Sequence, residues 1–344
     1  MRNQLLFKAI TLLSFAIIFS TGCNEALLGE EKKTGYLTNL NKPIKDKPVE
    51  KVFDTAAYNK IINALANGDT TGKWPVKAPY PLKGAILPYY RVVAFYGNLY
   101  SKRMGILGEI PKNEMLKKLQ GEVVKWQAAD TSLPVIPALH YVAVTAQGTA
   151  GKDGKYRMRM PNHQIDTIVN WAKEIDALVF LDIQVAHSTV KAEVPALSNY
   201  LKMPDVHLGI DPEFSMKNGE VPGSNIGTFN ANDINTAIDY LADIVRKNNL
   251  PPKILVVHRF TMGMVRGAES IKKVPEVQVV MDMDGWGDKL LKKSSYQRYI
   301  YKEPVLFAGF KLFYKNDTKT GANQLYTPGE LLKFMPKPVY IQYQ

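Results

Sequence analysis

From Arg91 onward the chain alternates between two hydrophobic rhythms. Short runs rich in Val, Ile, Phe and Tyr occur at Arg91–Tyr96, Val135–Val144, Leu178–Val185 and Val206–Ile210, and again at Ile254–His258, Val277–Met283, Val305–Phe313 and Val339–Tyr343. Such runs read as strands buried on both faces. Between them apolar residues recur three to four apart. That spacing predicts amphipathic helices over Asn113–Ala128, His163–Ile175, Val190–Leu201, Ala231–Asn248, Met264–Lys273, Lys289–Tyr301 and Pro328–Met335. One further helix, Asp54–Asn67, precedes the first strand, with Ala57, Ile61, Ile62 and Leu65 on its apolar side and Gly68 as its stop. A Pro-rich connector from Pro75 to Pro88 joins it to the strands.

Strands separated by helices predict a parallel sheet. The number of strands is the one that closes a (β/α)8 TIM barrel, so an α/β barrel domain is expected over residues 51–344. The rival is an open doubly wound sheet, whose dinucleotide-binding version carries a Gly-rich turn after its first strand. Here that turn reads Gly97-Asn98-Leu99-Tyr100-Ser101, without the G-x-G-x-x-G spacing. Neither G-x-x-x-x-G-K-[ST] nor G-x-S-x-G occurs, and no cofactor is expected. No helical pattern follows the last strand, and Asp54–Asn67 is expected to cover that gap on the outside of the barrel.

The N-terminal stretch changes the picture. A basic start, Met1 to Lys8, runs into an apolar segment, Ala9 to Phe19, and then Ser20-Thr21-Gly22-Cys23. This is the pattern of a secretory signal peptide over residues 1–22. The Thr-Gly-Cys ending resembles a bacterial lipobox, which implies that Cys23 is acylated and becomes the mature N-terminus, anchored in a lipid membrane of the cell envelope. Polar residues from Asn24 to Glu50, including Glu30-Glu31-Lys32-Lys33, read as a flexible tether over 23–50. Cys23 is the only cysteine, which excludes disulfides and thiolate metal sites. A formal charge of +12 favours anionic neighbours such as lipid head groups or acidic wall polymers. Nucleic acid is not an expected partner of an exported chain. The pairs Lys117-Lys118, Lys272-Lys273 and Lys292-Lys293 read as solvated helix faces.

In such a barrel, chemistry sits at the C-terminal ends of the strands. Side chains alternate faces along a strand, so polar residues of one parity there mark a candidate site. On the third strand Asp182 and Gln184 share a face, opposite Val179, Leu181, Ile183 and Val185. On the fourth, His207, Gly209, Asp211 and Glu213 oppose Val206, Leu208 and Ile210. The fifth ends with His258 on the face of Ile254 and Val256, and the sixth sets Asp282 and Asp284 opposite Val277, Val279, Met281 and Met283. Carboxylates from separate strands thus aim at one end, with an imidazole between them. Crowded acids raise the pKa of one partner, as a general acid requires. His140 and His187 lie near strand ends, whereas His163 at a helix start and His207 deep in a strand read as structural. Trp286, Tyr96, Tyr141, Phe214 and Phe260 gather at strand ends and could stack on sugar faces. Asn98, Gln147 and Arg259 could bond hydroxyls.

The Asp211-Pro212-Glu213 ending is similar to the terminal D-x-E of family 18 chitinase-like enzymes, and Met281-Asp282-Met283-Asp284 is similar to their M-x-[YF]-D. The resemblance implies Glu213 as general acid and Asp211 as its electrostatic partner. The expected function is therefore glycoside hydrolysis of a cell-wall or extracellular polysaccharide, with Glu213, Asp211, Asp284 and Asp182 as catalytic candidates. His258, Trp286, Asp282, Gln184, His140 and Tyr96 are the substrate-binding candidates, and no metal is assigned. Two alternatives stay open. One is a metal-dependent hydrolase drawing ligands from His140, Asp182, His187, Asp211, Glu213, His258 and Asp282. The other is a carbohydrate-binding lipoprotein without chemistry, since His207 and Gly209 stand where the resembled family has acids.

Overall fold

The eight apolar runs become eight parallel strands, and the last closes on the first. We label them β1 (Arg91–Gly97), β2 (Val135–Ala146), β3 (Leu178–Ile183), β4 (Val206–Ile210), β5 (Lys253–Arg259), β6 (Val277–Met283), β7 (Phe307–Leu312) and β8 (Tyr340–Tyr343). The computed structural model describes residues 53–319 and 324–344. Each strand pairs with its neighbours in chain order, and β1 pairs with both β2 and β8, so the sheet is a closed TIM barrel. A short antiparallel strand, Arg157–Arg159, extends β2 beyond the barrel. The expected signal peptide, the Cys23 anchor and the tether lie outside the described residues. Among the described residues no helix is long and apolar enough to cross a membrane.

The inward and outward parities segregate as the alternation requires. Outward residues such as Val179, Leu181, Leu208, Val257 and Val279 pack with the helices into one large apolar cluster. Inward residues Val92, Ala94, Ala138, Leu178, Phe180, Ile254, Val256, Val280 and Phe307 form a second cluster that fills the lower interior. The helix Ala231–Asn248 illustrates the local logic. Asn230 and Asp233 form a capping box, Ile234, Ala237, Ile238, Leu241 and Val245 are buried, and Asn249 ends the helix in the left-handed conformation.

Four expectations are corrected. The first helix (Thr55–Ala66) does not stand outside the wall: Leu65 joins the inner cluster, with Ile61 packed against it, so the helix crosses the N-terminal mouth. Met264–Lys273 is not a helix. Val265–Arg266 pairs with Phe229–Asn230, and Gly267 at φ 73° allows only the single turn Ala268–Ser270 to follow. Val190–Leu201 is broken into three short turns around Pro195, which lacks the amide a continuous helix needs. Lys292 is not solvated. It is buried, 2.6 Å from Asp317 Oδ2, because its helix Lys289–Ser295 lies over the end of β7.

Candidate active site

One layer above the apolar interior, the same inward parity turns polar. Tyr96 from β1, His140 from β2, Asp182 from β3, His258 from β5, Asp282 from β6 and Lys311 from β7 are all buried there. Asp284 follows β6 and is 7% exposed. Asp211 follows β4, and Glu213 stands half-buried in the turn Pro212–Phe214 that comes next.

Contacts radiate from His258. Its Nε2 lies 3.5 Å from Asp182 Oδ2, and its Nδ1 lies 3.1 Å from Asp284 Oδ2 and 3.6 Å from Asp282 Oδ2. These are ion-pair separations without the alignment of hydrogen bonds, since both ring nitrogens lack an aligned partner. Asp182 Oδ2 accepts a bond from the Tyr96 hydroxyl at 3.2 Å, and Oδ1 accepts one from the Ile183 amide. His140 Nε2 lies 3.7 Å from Asp182 Oδ2, while its Nδ1 is fixed 2.6 Å from the Tyr340 hydroxyl, which also accepts from Gln342. Lys311 Nζ lies 2.8 Å from Asp284 Oδ1 and 3.8 Å from the centre of the Tyr96 ring. Room for this crowd comes from residues without side chains. A Cβ on Gly209 would meet His140 Nε2 at 2.5 Å and Asp182 Oδ1 at 2.6 Å, and one on Gly309 would meet Asp282 Oδ1 at 2.5 Å.

The electrostatics split the carboxyl groups into two kinds. Burial disfavours charge on all of them, but the His258 charge beside Asp182, and Lys311 beside Asp284, hold these two below the usual carboxylate range. Burial and then the Asp284 charge push Glu213 up to about 7. Burial pushes Asp282 up to about 7 as well, with Asp284 adding to the shift. Burial, joined by repulsion from Glu213, Asp182 and Asp284, pushes Asp211 well above its ordinary value. Asp211 also positions Glu213: its Oδ1 accepts from the Glu213 amide at 3.0 Å, and its Oδ2 accepts from Gln184 at 3.3 Å. Burial lowers His140 to about 4 despite Asp182, whereas Asp182 and Asp284 raise His258 well above its ordinary value against the effect of burial.

The residues singled out from the sequence separate in space. Asp182, Asp211, Asp282, Asp284, His140, His258, Tyr96 and Gln184 converge, with Glu213 at the outer edge. Trp286 stands on the rim, 56% exposed, beneath Lys319. Tyr141 does not face the mouth; it points outward and bonds Gln164. His187 bonds the Glu220 carbonyl and ties two loops together. Arg259 is consumed by loop carbonyls and Glu303, and Asn98 by Val142 and Tyr100. His207 is buried a layer lower, where Nδ1 accepts from the Ile254 amide. Sequence reasoning missed Lys311, Tyr340 and Gln342. Their signal was present: Phe307, Gly309 and Lys311 share a parity, and so do Tyr340 and Gln342.

No family model matches the chain, and no curated protein matches it in sequence. Solved structures that resemble it include the following three. A 7,8-dihydropteroate synthase from Vibrio fischeri is 10% identical, with a TM-score of 0.35, over 75% of this chain and 88% of that one. A sugar phosphate isomerase/epimerase from Parabacteroides distasonis is 10% identical, with a TM-score of 0.33, over 76% and 88%. A glycoside hydrolase-like protein is 6% identical, with a TM-score of 0.35, over 78% and 87%. None of them carries a functional argument.

Proposed function

We propose that the barrel hydrolyses glycosidic bonds of a cell-wall or extracellular polysaccharide, with Glu213 as its general acid. The observation that carries the reading is the contrast between two neighbouring carboxyl groups. Glu213 is half-buried at the mouth and keeps its proton to about pH 7, while Asp284 is held ionised by Lys311 at 2.8 Å. Pairs of titratable groups pushed apart in this way divide naturally into an acid and a charged partner. Glu213 protonates the leaving oxygen as the glycosidic bond breaks, and Asp284 stabilises the oxocarbenium-like charge left on the sugar. Water then adds to the anomeric carbon and gives up a proton that restores the acid form of Glu213. Asp182 lies fully buried, bonded to Tyr96, and contributes field rather than contact. Asp211 orients Glu213 through its amide and is a positioning residue. Exposed Tyr100, Ile226, Met262 and Trp286, on loops that follow four of the barrel strands, supply apolar surface around the mouth for sugar faces.

The proposal includes export and tethering through an acylated Cys23, supported by the sequence from Met1 to Cys23 alone. Glu213→Gln, assayed on a panel of wall and extracellular glycans, is expected to lose at least about a hundredfold in turnover with an unchanged circular dichroism spectrum. Unchanged turnover on a glycan that the wild-type protein cleaves removes Glu213 from the mechanism.

A further inference from the structure

We infer that His140, Asp182 and His258 bind a divalent first-row transition-metal ion beneath the mouth, leaving a coordination position for water or a substrate oxygen. The inference stands apart from the glycosidic reading, because binding is measured without a substrate. Among the described residues these three offer ligand atoms that all lie within 4.8 Å of one another, and all three side chains are fully buried.

Three observations point to an ion rather than to a hydrogen-bond network. First, the separations from Asp182 Oδ2 to His258 Nε2 and His140 Nε2, 3.5 and 3.7 Å, are too long for hydrogen bonds. They match the edges of a coordination tetrahedron, which bond lengths of about 2.0–2.1 Å set at about 3.4 Å. Second, both Nε2 atoms are buried without an aligned partner. An orphaned polar atom in a dry interior is costly, and two of them aimed at one carboxylate oxygen share the same remedy. Third, the His140 imidazole is held from behind by a hydrogen bond, as metal-bound histidines are: its Nδ1 lies 2.6 Å from the Tyr340 hydroxyl. His258 Nδ1 lies within ion-pair reach of Asp284 Oδ2, at 3.1 Å. With the proton of each ring on Nδ1, both Nε2 lone pairs face Asp182. Two imidazoles and one carboxylate suit zinc, cobalt, iron or manganese and not calcium, which takes oxygen ligands.

The test is equilibrium dialysis of the chelator-stripped protein against zinc, cobalt and calcium salts, with elemental analysis. The expected result is about one equivalent of zinc or cobalt, a visible cobalt spectrum of four-coordinate type, and no stoichiometric calcium. Asp182→Asn and His258→Gln are expected to weaken zinc binding at least about tenfold, whereas His207→Gln, a buried imidazole one layer lower, retains it. Should either site variant fail to fold, the cobalt spectrum of the wild-type protein decides. Absence of stoichiometric zinc or cobalt in the wild-type protein, or site variants that fold and bind zinc as the wild-type protein does, overturns the inference.

Discussion

The lower and upper halves of the barrel interior are built by the same strands at the same parity, yet they solve opposite problems. Below, Val92, Ala94, Ala138, Leu178, Phe180, Ile254, Val256 and Val280 fill the cylinder with apolar volume, and Leu65 of the N-terminal helix closes it from underneath. Above, Tyr96, His140, Asp182, His258, Asp282, Asp284 and Lys311 occupy similarly buried positions with polar and ionisable groups. The lower layer is satisfied chiefly by packing, with His207 bonded to the Ile254 amide as its polar exception. The upper one leaves His140 Nε2, both His258 nitrogens and both Asp282 oxygens without aligned partners. Buried polar atoms left in that state oppose stability, and they persist where a site uses them. Moving two residues along one strand, from Val256 to His258 or from Val280 to Asp282, crosses from the part that holds the fold to the polar layer of the candidate site.

The largest separation of the two halves is expected from Phe180→Ala. Phe180 stacks on His140 at 5.3 Å between ring centres and also touches His207 and Tyr340, so it is the floor of the polar layer and the roof of the apolar one. Truncation should cost about 3–5 kcal/mol in denaturant unfolding. A loss below about 1 kcal/mol would mean that the lower interior is loosely filled and that the comparison fails. A smaller and purely electrostatic break is Lys311→Met. It strands the Asp284 carboxylate beside Asp282, at an expected cost of about 3 kcal/mol. Adding Asp284→Asn to Lys311→Met should recover most of that loss, because the stranded charge goes with it. If the double variant is no more stable than the single one, Lys311 acts through its packing on Tyr96 instead.

Much of this division was legible in the chain, and where it was not the reasons are physical. Strands buried on both faces declare themselves as unbroken apolar runs, so β4 and β6 were bounded correctly from Val206–Ile210 and Val277–Met283. Strand parity alone puts Asp182, His258, Asp282 and Asp284 on one face. Lys311 escaped because a single cation in an apolar strand looks like a solvent-facing edge until its neighbours are known. The Met264–Lys273 helix failed because apolar spacing spoke for it while Gly267 needed a left-handed backbone that no helix allows. The position of the first helix could not be read, because apolar spacing specifies that a face is buried and not which opening of the barrel receives it.

The finest comparison is between Glu213 and its neighbour Asp284, and pH resolves it. Glu213 is raised from the ordinary glutamate value to about 7 by burial and by the Asp284 charge. A general acid must carry its proton, so activity is present below that value and falls as pH rises through it. The profile of kcat/KM on a cleaved glycan should therefore bend downward near pH 7 and drop by about tenfold for each further unit. In Asp284→Asn the repulsion on Glu213 is gone while Lys311 and His258 still favour its charged form. Its pKa should move back toward the ordinary value, and whatever activity remains should bend at a lower pH than in the wild-type protein. An alkaline bend that stays in place in Asp284→Asn would detach Glu213 from the Asp284 field, and with it the division of the mouth into an acid and a charged partner.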